Sequence, residues 1–286
     1  MTLSRSSFLR ATLGGGVALA AGAVRPARAK EWTTIRVATE GGYPPFNMTS
    51  PSGALTGFEP ELLAELSKRM NIRCELIAQD WDGIIAGLTG NKFDAIIDAL
   101  SITPKREEVI AFSIPYVSSP STFVVTKDSG FGPLPGEGKV VQLDDEAATK
   151  PAIADLSTKL KGKTIGVQVS TIQADFLNNY LKDAATIRTY PTAAGSMLDL
   201  KAGRLDTVMA SGSNLVSEVK KGNGEIVMTG YGFRGGLLGK GSAIGLRKGD
   251  PELKDAFDKA IRAVHADGTL KTLVMKWFGY DITPPM

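Results

Sequence analysis

The chain reads as an α/β protein of two modest units, and three observations predict it. Short apolar β-runs alternate with amphipathic helical patterns along the whole length, which argues for mostly parallel sheets layered with helices. A glycine- and proline-rich stretch, Ser129 to Val140, must be a loop and separates one such series from the next. A further strand–helix–helix pattern then follows the point at which the second series looks finished.

Each element has its own reason. Thr34 to Ala38 is a β-branched and apolar strand that runs into a Gly41-Gly42-Tyr43-Pro44-Pro45-Phe46 turn. Glu59 to Met70 is a helix, because Leu62, Leu63, Leu66 and Met70 recur on one side. Arg73 to Gln79 is the next strand, Trp81 to Thr89 the next helix, and Phe93 to Leu100 an apolar run that closes the first unit. Pro115-Tyr116 leads into Ser121 to Lys127, an extended segment that leaves this unit. Beyond the break, Pro151 to Leu160 is helical, Thr164 to Val169 a strand, Gln173 to Lys182 a helix and Thr186 to Tyr190 a strand. Ala193 to Ala202 and Leu205 to Ala210 add one helix and one strand. After the glycine-rich Gly230 to Gly241 come a strand at Ser242 to Leu246 and helices at Pro251 to Ala266 and Leu270 to Trp277.

The N-terminus is a targeting signal. Arg5 and Arg10 form a positive region, Ala11 to Val24 a short run of small apolar residues, and Ala27-Arg28-Ala29 a cleavage site, so residues 1–29 read as a signal peptide. The run is too short and too rich in Gly and Ala to span a bilayer stably. Ser4-Arg5-Ser6-Ser7-Phe8-Leu9-Arg10 is similar to a twin-arginine export motif except for Ser6, so the export route stays open. This leader carries four arginines and no acid, and its removal takes the formal charge from +3 to −1. No basic patch then remains to neutralise phosphates, which argues against a nucleic-acid partner. Cys74 and His265 are the single cysteine and histidine, which excludes an intrachain disulfide, a zinc ligand set and a Cys–His nucleophile. No metal or other cofactor is expected, and no catalytic set is visible.

The most informative stretch is Asp98-Ala99-Leu100-Ser101-Ile102-Thr103-Pro104-Lys105-Arg106. A buried strand ends here, a Ser-x-Thr-Pro turn follows, and an arginine comes after two helix-starting residues. A hydroxyl, free amides at a helix start and a guanidinium are thereby within reach of one small anion, such as a carboxylate. The plain alternative is that Arg106 is a solvated helix residue.

Several segments carry a resemblance that spans almost the whole chain after the leader. They are Tyr43-Pro44-Pro45-Phe46, Gly57-Phe58-Glu59-Pro60-Glu61-Leu62, Asp80-Trp81-Asp82-Gly83-Ile84-Ile85 and Phe93-Asp94-Ala95-Ile96. Ser101-Ile102-Thr103-Pro104-Lys105-Arg106, Ala202-Gly203-Arg204-Leu205-Asp206, Gly245-Leu246-Arg247-Lys248 and Asp267-Gly268-Thr269 complete the set. In this order and spacing they resemble periplasmic solute-binding proteins of ABC importers, in the polar amino-acid class called family 3. The resemblance implies a two-lobed type II periplasmic binding protein fold whose lobes are joined by two crossing strands and close around a ligand. Lobe one would be residues 30–117 plus 231–286, and lobe two residues 118–230. It further implies a monomer in the periplasm that hands a small amino acid or opine to an inner-membrane permease.

What the resemblance implies for the site goes residue by residue. Arg106 matches the arginine that grips the ligand α-carboxylate, helped by Ser101. Ser170, Thr171 and Ile172, at a strand-to-helix turn of lobe two, would bring backbone amides to the same carboxylate on closure, although Ser170-Thr171 also reads as an ordinary helix cap. Tyr43 and Trp81 match aromatic walls, and Trp81 would face a guanidinium for about 0.5–2 kcal/mol. Glu40 and Glu59 match acidic positions used for a distal cation, unless either is simply solvated.

Two departures narrow the ligand. Basic amino-acid members carry an aspartate for the α-ammonium where this chain has Ser211, and two adjacent serines where it has Asp98 and Ala99. The Asp-Trp-Asp-Gly run, the Asp98 to Pro104 segment and the insertion around Ser129 to Leu160 look most like opine-binding members. Opines are secondary-amine conjugates of arginine and similar amino acids with keto acids; their crowded nitrogen and extra carboxylate suit Ser211. A cysteine found in several basic amino-acid binders is replaced by Ser67, leaving Cys74 a free, buried thiol. Two other readings stand beside the receptor: an exported enzyme on the same scaffold, similar to cyclohexadienyl dehydratases, and a ligand-sensing module for a membrane receptor.

Overall fold

The computed structural model describes residues 31–128 and 130–285. The expected signal peptide and Ser129 lie outside the described residues. Among the described residues, one five-stranded sheet runs β5 (Arg73–Ala78), β1 (Thr34–Thr39), β6 (Ala95–Ile96), β14 (Gly245–Leu246), β7 (Ala111–Phe112). A six-stranded sheet runs β11 (Thr186–Tyr190), β10 (Thr164–Gln168), β12 (Thr207–Ser211), β8 (Ser121–Thr126), β13 (Ile226–Arg234), β9 (Val140–Gln142). A small sheet of β2 (Gly42–Tyr43), β3 (Asn47–Thr49) and β4 (Leu55–Thr56) folds the chain back after β1.

Helices cover both faces of each main sheet. Against one face of the first sheet pack α1 (Phe58–Met70), α8 (Pro251–Ala266) and α9 (Thr269–Phe278), with Ile35, Val37, Leu62, Phe257, Ile261 and Phe278 buried between them. The other face is covered by α2 (Ile84–Thr89), where Ala38, Leu88, Phe93 and Ile96 form a second core. The short α3 (Pro104–Glu107) follows β6. The second sheet is covered by α4 (Glu146–Lys159) and α5 (Ile172–Tyr180) on one side, burying Phe123, Leu156, Val167, Phe176 and Phe233. On its other side α6 (Ala193–Lys201) and α7 (Gly212–Lys221) bury Val124, Met197, Leu200 and Leu215. Each such large apolar side chain, fully buried, contributes about 1.5–3 kcal/mol, which holds each sheet between two helical layers.

The sheets are mixed rather than mostly parallel. β1 pairs in parallel with β5 and β6, and β10 with β11 and β12. β8 is antiparallel to β12 and β13, and β14 to β6 and β7. These exceptions follow chain crossings: β8 comes directly after the chain leaves the first sheet, and β14 after it returns. The two crossing segments lie side by side, bridged antiparallel at Val117 and Ser242. The expected return at Tyr231 falls inside β13, which continues to Arg234 with Gly232, Phe233 and Arg234 opposite Val140, Val141 and Gln142.

Other differences have local causes. The helix expected from Trp81 begins at Ile84, because Gly83 takes the left-handed conformation (φ 87°) and so separates Trp81 from the helix. The strand expected over Phe93 to Leu100 pairs only at Ala95–Ile96, since the backbone turns at Ala99 (φ 47°). Helix α4 starts at Glu146, five residues before Pro151, because Asp145 caps it by accepting from the Ala147 and Ala148 amides. Cys74 is a free thiol, half-buried, with burial pushing its pKa up. Among the described residues, no helix is long and apolar enough to cross a membrane, and no group of three or more His, Cys, Asp and Glu could hold a metal ion.

Candidate ligand-binding site

A cavity with about 730 Å³ of empty space, part of it open to solvent, lies between the two main sheets and is within the usual range for small-molecule sites. It sits at the carboxyl ends of β1, β10 and β12, lined there by Glu40 and Thr171 just after β1 and β10 and by Ser211 at the end of β12. Of the residues expected at the site, Glu40, Tyr43, Trp81, Asp98, Ala99, Ser101, Arg106, Thr171, Ile172 and Ser211 line it. Glu59 and Ser170 do not.

Arg106 is set by the turn before it. Thr103 Oγ1 caps α3 by accepting from the Arg106 amide at 3.3 Å. The guanidinium donates to the carbonyls of Ser101 (3.1 Å) and Ser170 (3.4 Å), and its Cζ stands 5.3 Å from the centre of the Trp81 ring. Burial pulls its pKa down to about 10, against the weaker pull of the Asp175 carboxylate, which forms no hydrogen bond or close ion pair with it. A desolvated guanidinium with carbonyl and ring neighbours but no counter-ion is suited to an incoming anion.

The acidic wall is buried and layered. Asp98 Oδ1 accepts from Asn47 Nδ2 (2.8 Å) and Thr39 Oγ1 (3.3 Å), whereas its Oδ2 is buried with no hydrogen-bond partner among the described residues. Glu40 Oε2 accepts from Gln168 Nε2 at 2.9 Å. Burial first, then repulsion from Glu59 and Asp80, pushes the Glu40 carboxyl up to about 7. Burial, with repulsion from Glu40 and Glu59, holds Asp98 well above the ordinary carboxylate range. Two carboxyls sharing a desolvated wall resist joint ionisation, and a cation between them relieves both penalties.

Glu59 is a correction to the expected ligand set. It is fully buried behind the wall, where it accepts from Asn47 Nδ2 (2.7 Å), the Ala99 amide (2.6 Å) and the Tyr116 hydroxyl. It thus fixes the left-handed backbone at Ala99 and, through Asn47, the Asp98 carboxyl beside it. The Ser170 hydroxyl donates to Asp82 Oδ1 at 2.8 Å across the gap, while the contact expected of it was through its backbone amide.

That bond is one of several joining the two sheets across the cavity. Trp81 Nε1 donates to the Val169 carbonyl (3.0 Å), Asn214 Nδ2 to the Pro44 carbonyl (2.6 Å) and the Ser211 amide to the Tyr43 hydroxyl (3.3 Å). Thr171 caps α5 through its hydroxyl, as the expected cap reading had it, and also lines the cavity. The sequence reading missed Gln168, Gln173, Ser121 and Arg234, all lining residues. Gln168 could have been found as the last residue of its strand, two positions before the Ser170-Thr171 turn. Arg234 was hidden by ending the second unit at Gly230.

This geometry, two helix-covered sheets with a polar cavity at the crossing, defines an interdomain solute receptor. The chain matches the family of bacterial extracellular solute-binding proteins, family 3, over residues 35–280, and belongs to it. It is 42% identical over 271 residues to an octopine-binding periplasmic protein of Rhizobium meliloti, covering 88% of this chain and 92% of the relative. It is 30% identical over 255 residues to an L-arginine-binding protein of Pseudomonas aeruginosa, covering 87% and 89%. Among solved structures it is similar to a periplasmic His/Glu/Gln/Arg/opine family-binding protein from Silicibacter pomeroyi in complex with lysine. That match has a TM-score of 0.70 and 33% identity, and covers 88% of this chain and 100% of the other. The fold is the type II periplasmic binding protein fold, and the protein is a solute receptor rather than an enzyme.

Proposed function

We propose that the chain is exported to the periplasm, captures a cationic amino acid or an arginine-derived opine in this cavity, and delivers it to an inner-membrane ABC permease. The single observation that carries the reading is the pairing, in one cavity, of an arginine without a counter-ion and a buried acidic wall. A ligand carboxylate meets Arg106 and Ser101, its side chain lies against Trp81 and Tyr43, and its distal cation sits by Glu40 and Asp98. Thr171, Ile172 and Ser211 complete the cavity from the second sheet, so that binding favours the closed arrangement. We place lobe one at residues 31–117 plus about 241–285 and lobe two between them, because β13 pairs within the second sheet to Arg234.

The opine reading within this class is supported by Ser211, which offers no charge to a primary ammonium, and by the similarity to an octopine-binding protein. The test is a thermal-shift screen of the protein without residues 1–29 against arginine, lysine, ornithine, histidine, octopine and nopaline. A ligand that binds only the folded state raises the midpoint by mass action. A larger shift with octopine or nopaline than with the simple amino acids is expected; shifts with the simple amino acids alone would remove the opine. No shift with any of them would remove the reading of the cavity.

A further inference from the structure

Arg234 is a second arginine of the cavity wall. It ends β13, next to the buried Phe233, and is half-buried. Its Nε is buried and has no hydrogen-bond partner among the described residues. Buried donors in folded proteins nearly always have a partner, so an orphaned one on a cavity wall points to a group that the cavity receives. The acid in the adjoining turn, Asp144, is engaged elsewhere: its Oδ2 accepts from the Gly236 amide at 3.1 Å.

The chain after Arg234 runs directly alongside the segment that leads to Arg106. Lys240 donates its amide to the Ile102 carbonyl at 3.1 Å, and Ile102 donates to the Gly241 carbonyl at 2.9 Å. Gly239 lies so close that a Cβ there would stand 2.2 Å from the Ile102 oxygen, so only glycine permits this approach. Two arginines therefore line one cavity from adjacent wall segments, together with Glu40 and Asp98. The Ser121 hydroxyl accepts from Gln173 Nε2 at 2.8 Å, and both residues line the cavity.

We propose that Arg234 receives a second carboxylate, so that the site selects cationic amino acids whose α-nitrogen carries an additional carboxyalkyl arm. This rests on the reading of Arg106 as the first carboxylate receptor. One arginine serves the carboxylate common to every amino acid; the other reads the feature that sets the conjugates apart. Discrimination of this kind is strong, because the arginine loses its partner when a ligand lacks the arm.

Calorimetric titration of octopine and arginine into the wild type, Arg234→Gln and Arg234→Lys tests it, with melting midpoints as the folding control. Octopine affinity should fall about 10- to 100-fold in Arg234→Gln, the cost of one lost charge-assisted contact, while arginine affinity does not fall. Arg234→Lys should retain part of the octopine affinity, because the charge remains and the fork geometry does not. Equal losses for both ligands, or no loss for octopine, would overturn the assignment and leave the receptor standing. A wild type that binds arginine and not octopine would overturn it as well. A wild type that binds neither would remove the reading of the cavity on which it rests.

Discussion

The wall given by the first sheet and the wall given by the second differ in charge. The first carries Glu40, Asp98 and Arg106, on the turns that follow β1 and β6, each with a pKa displaced by burial. The second carries Gln168, Thr171, Gln173, Ser121 and Ser211, neutral donors and acceptors, with Arg234 as its one charged lining residue among those described. Removing a charge from water costs several kcal/mol, and a neutral hydroxyl or amide far less. The closing and reopening that the proposed function requires would gain from this division. The charges stay desolvated on one side, and the closing side exchanges hydrogen bonds with water at small net cost. The bonds from Gln168 to Glu40 and from Ser211 to Tyr43 are of this neutral-donor kind.

The comparison can be broken at its charged side first. Arg106→Ala should weaken ligand binding by about 2–5 kcal/mol, mainly through a carboxylate left unpaired in a closed cavity. Calorimetric titration of a folded variant with unchanged affinity would remove Arg106 from the site. Next comes the support of the acidic wall. Asn47→Ala withdraws the donor shared by Glu59 and Asp98 and should cost about 1–3 kcal/mol of stability, read from denaturant midpoints. A neutral effect there would mean that the wall is not held as a unit.

The pH profile sharpens the same contrast. The folded Glu40 carboxyl titrates near 7, above its ordinary value of 4.5. Its protonated form therefore stabilises the unliganded protein fully below about 4.5, and that contribution is lost as pH rises through about 7. Binding of a cation needs the ionised form, so affinity should rise over the same interval in which unliganded stability falls. Titrations and melting curves across it should show the opposed trends, and Glu40→Gln should flatten both. A wild-type affinity that falls as pH rises would contradict a cation beside Glu40.

Smaller effects belong to the neutral contacts. Trp81→Ala removes the ring under Arg106 and the bond to the Val169 carbonyl, and should weaken binding by about 0.5–2 kcal/mol. Ser211→Asp is the mildest and tests direction only: competitive titration should show preference moving toward primary amines and away from opines. Movement the other way would reverse the meaning given to that serine.

Much of this was legible along the chain because the patterns are local. The Leu62–Leu63–Leu66 stripe, the β-branched run of β1 and the Thr103-Pro104 helix start each need only neighbours in sequence. The Ser101 to Arg106 turn and the lining roles of Glu40, Trp81, Asp98 and Ser211 were readable for the same reason, helped by segments that keep their order and spacing. Tertiary structure alone decided the rest. That Glu59 lies behind the wall and not in it depends on Asn47, Ala99 and Tyr116 converging from three distant segments. Ser170 meets Asp82, and Arg234 joins the cavity, because residues 88 positions apart pair across the gap and β13 continues past a glycine. A sequence specifies which groups a strand end or helix start presents; which of them share one desolvated space is set when the chain crosses between sheets twice and returns.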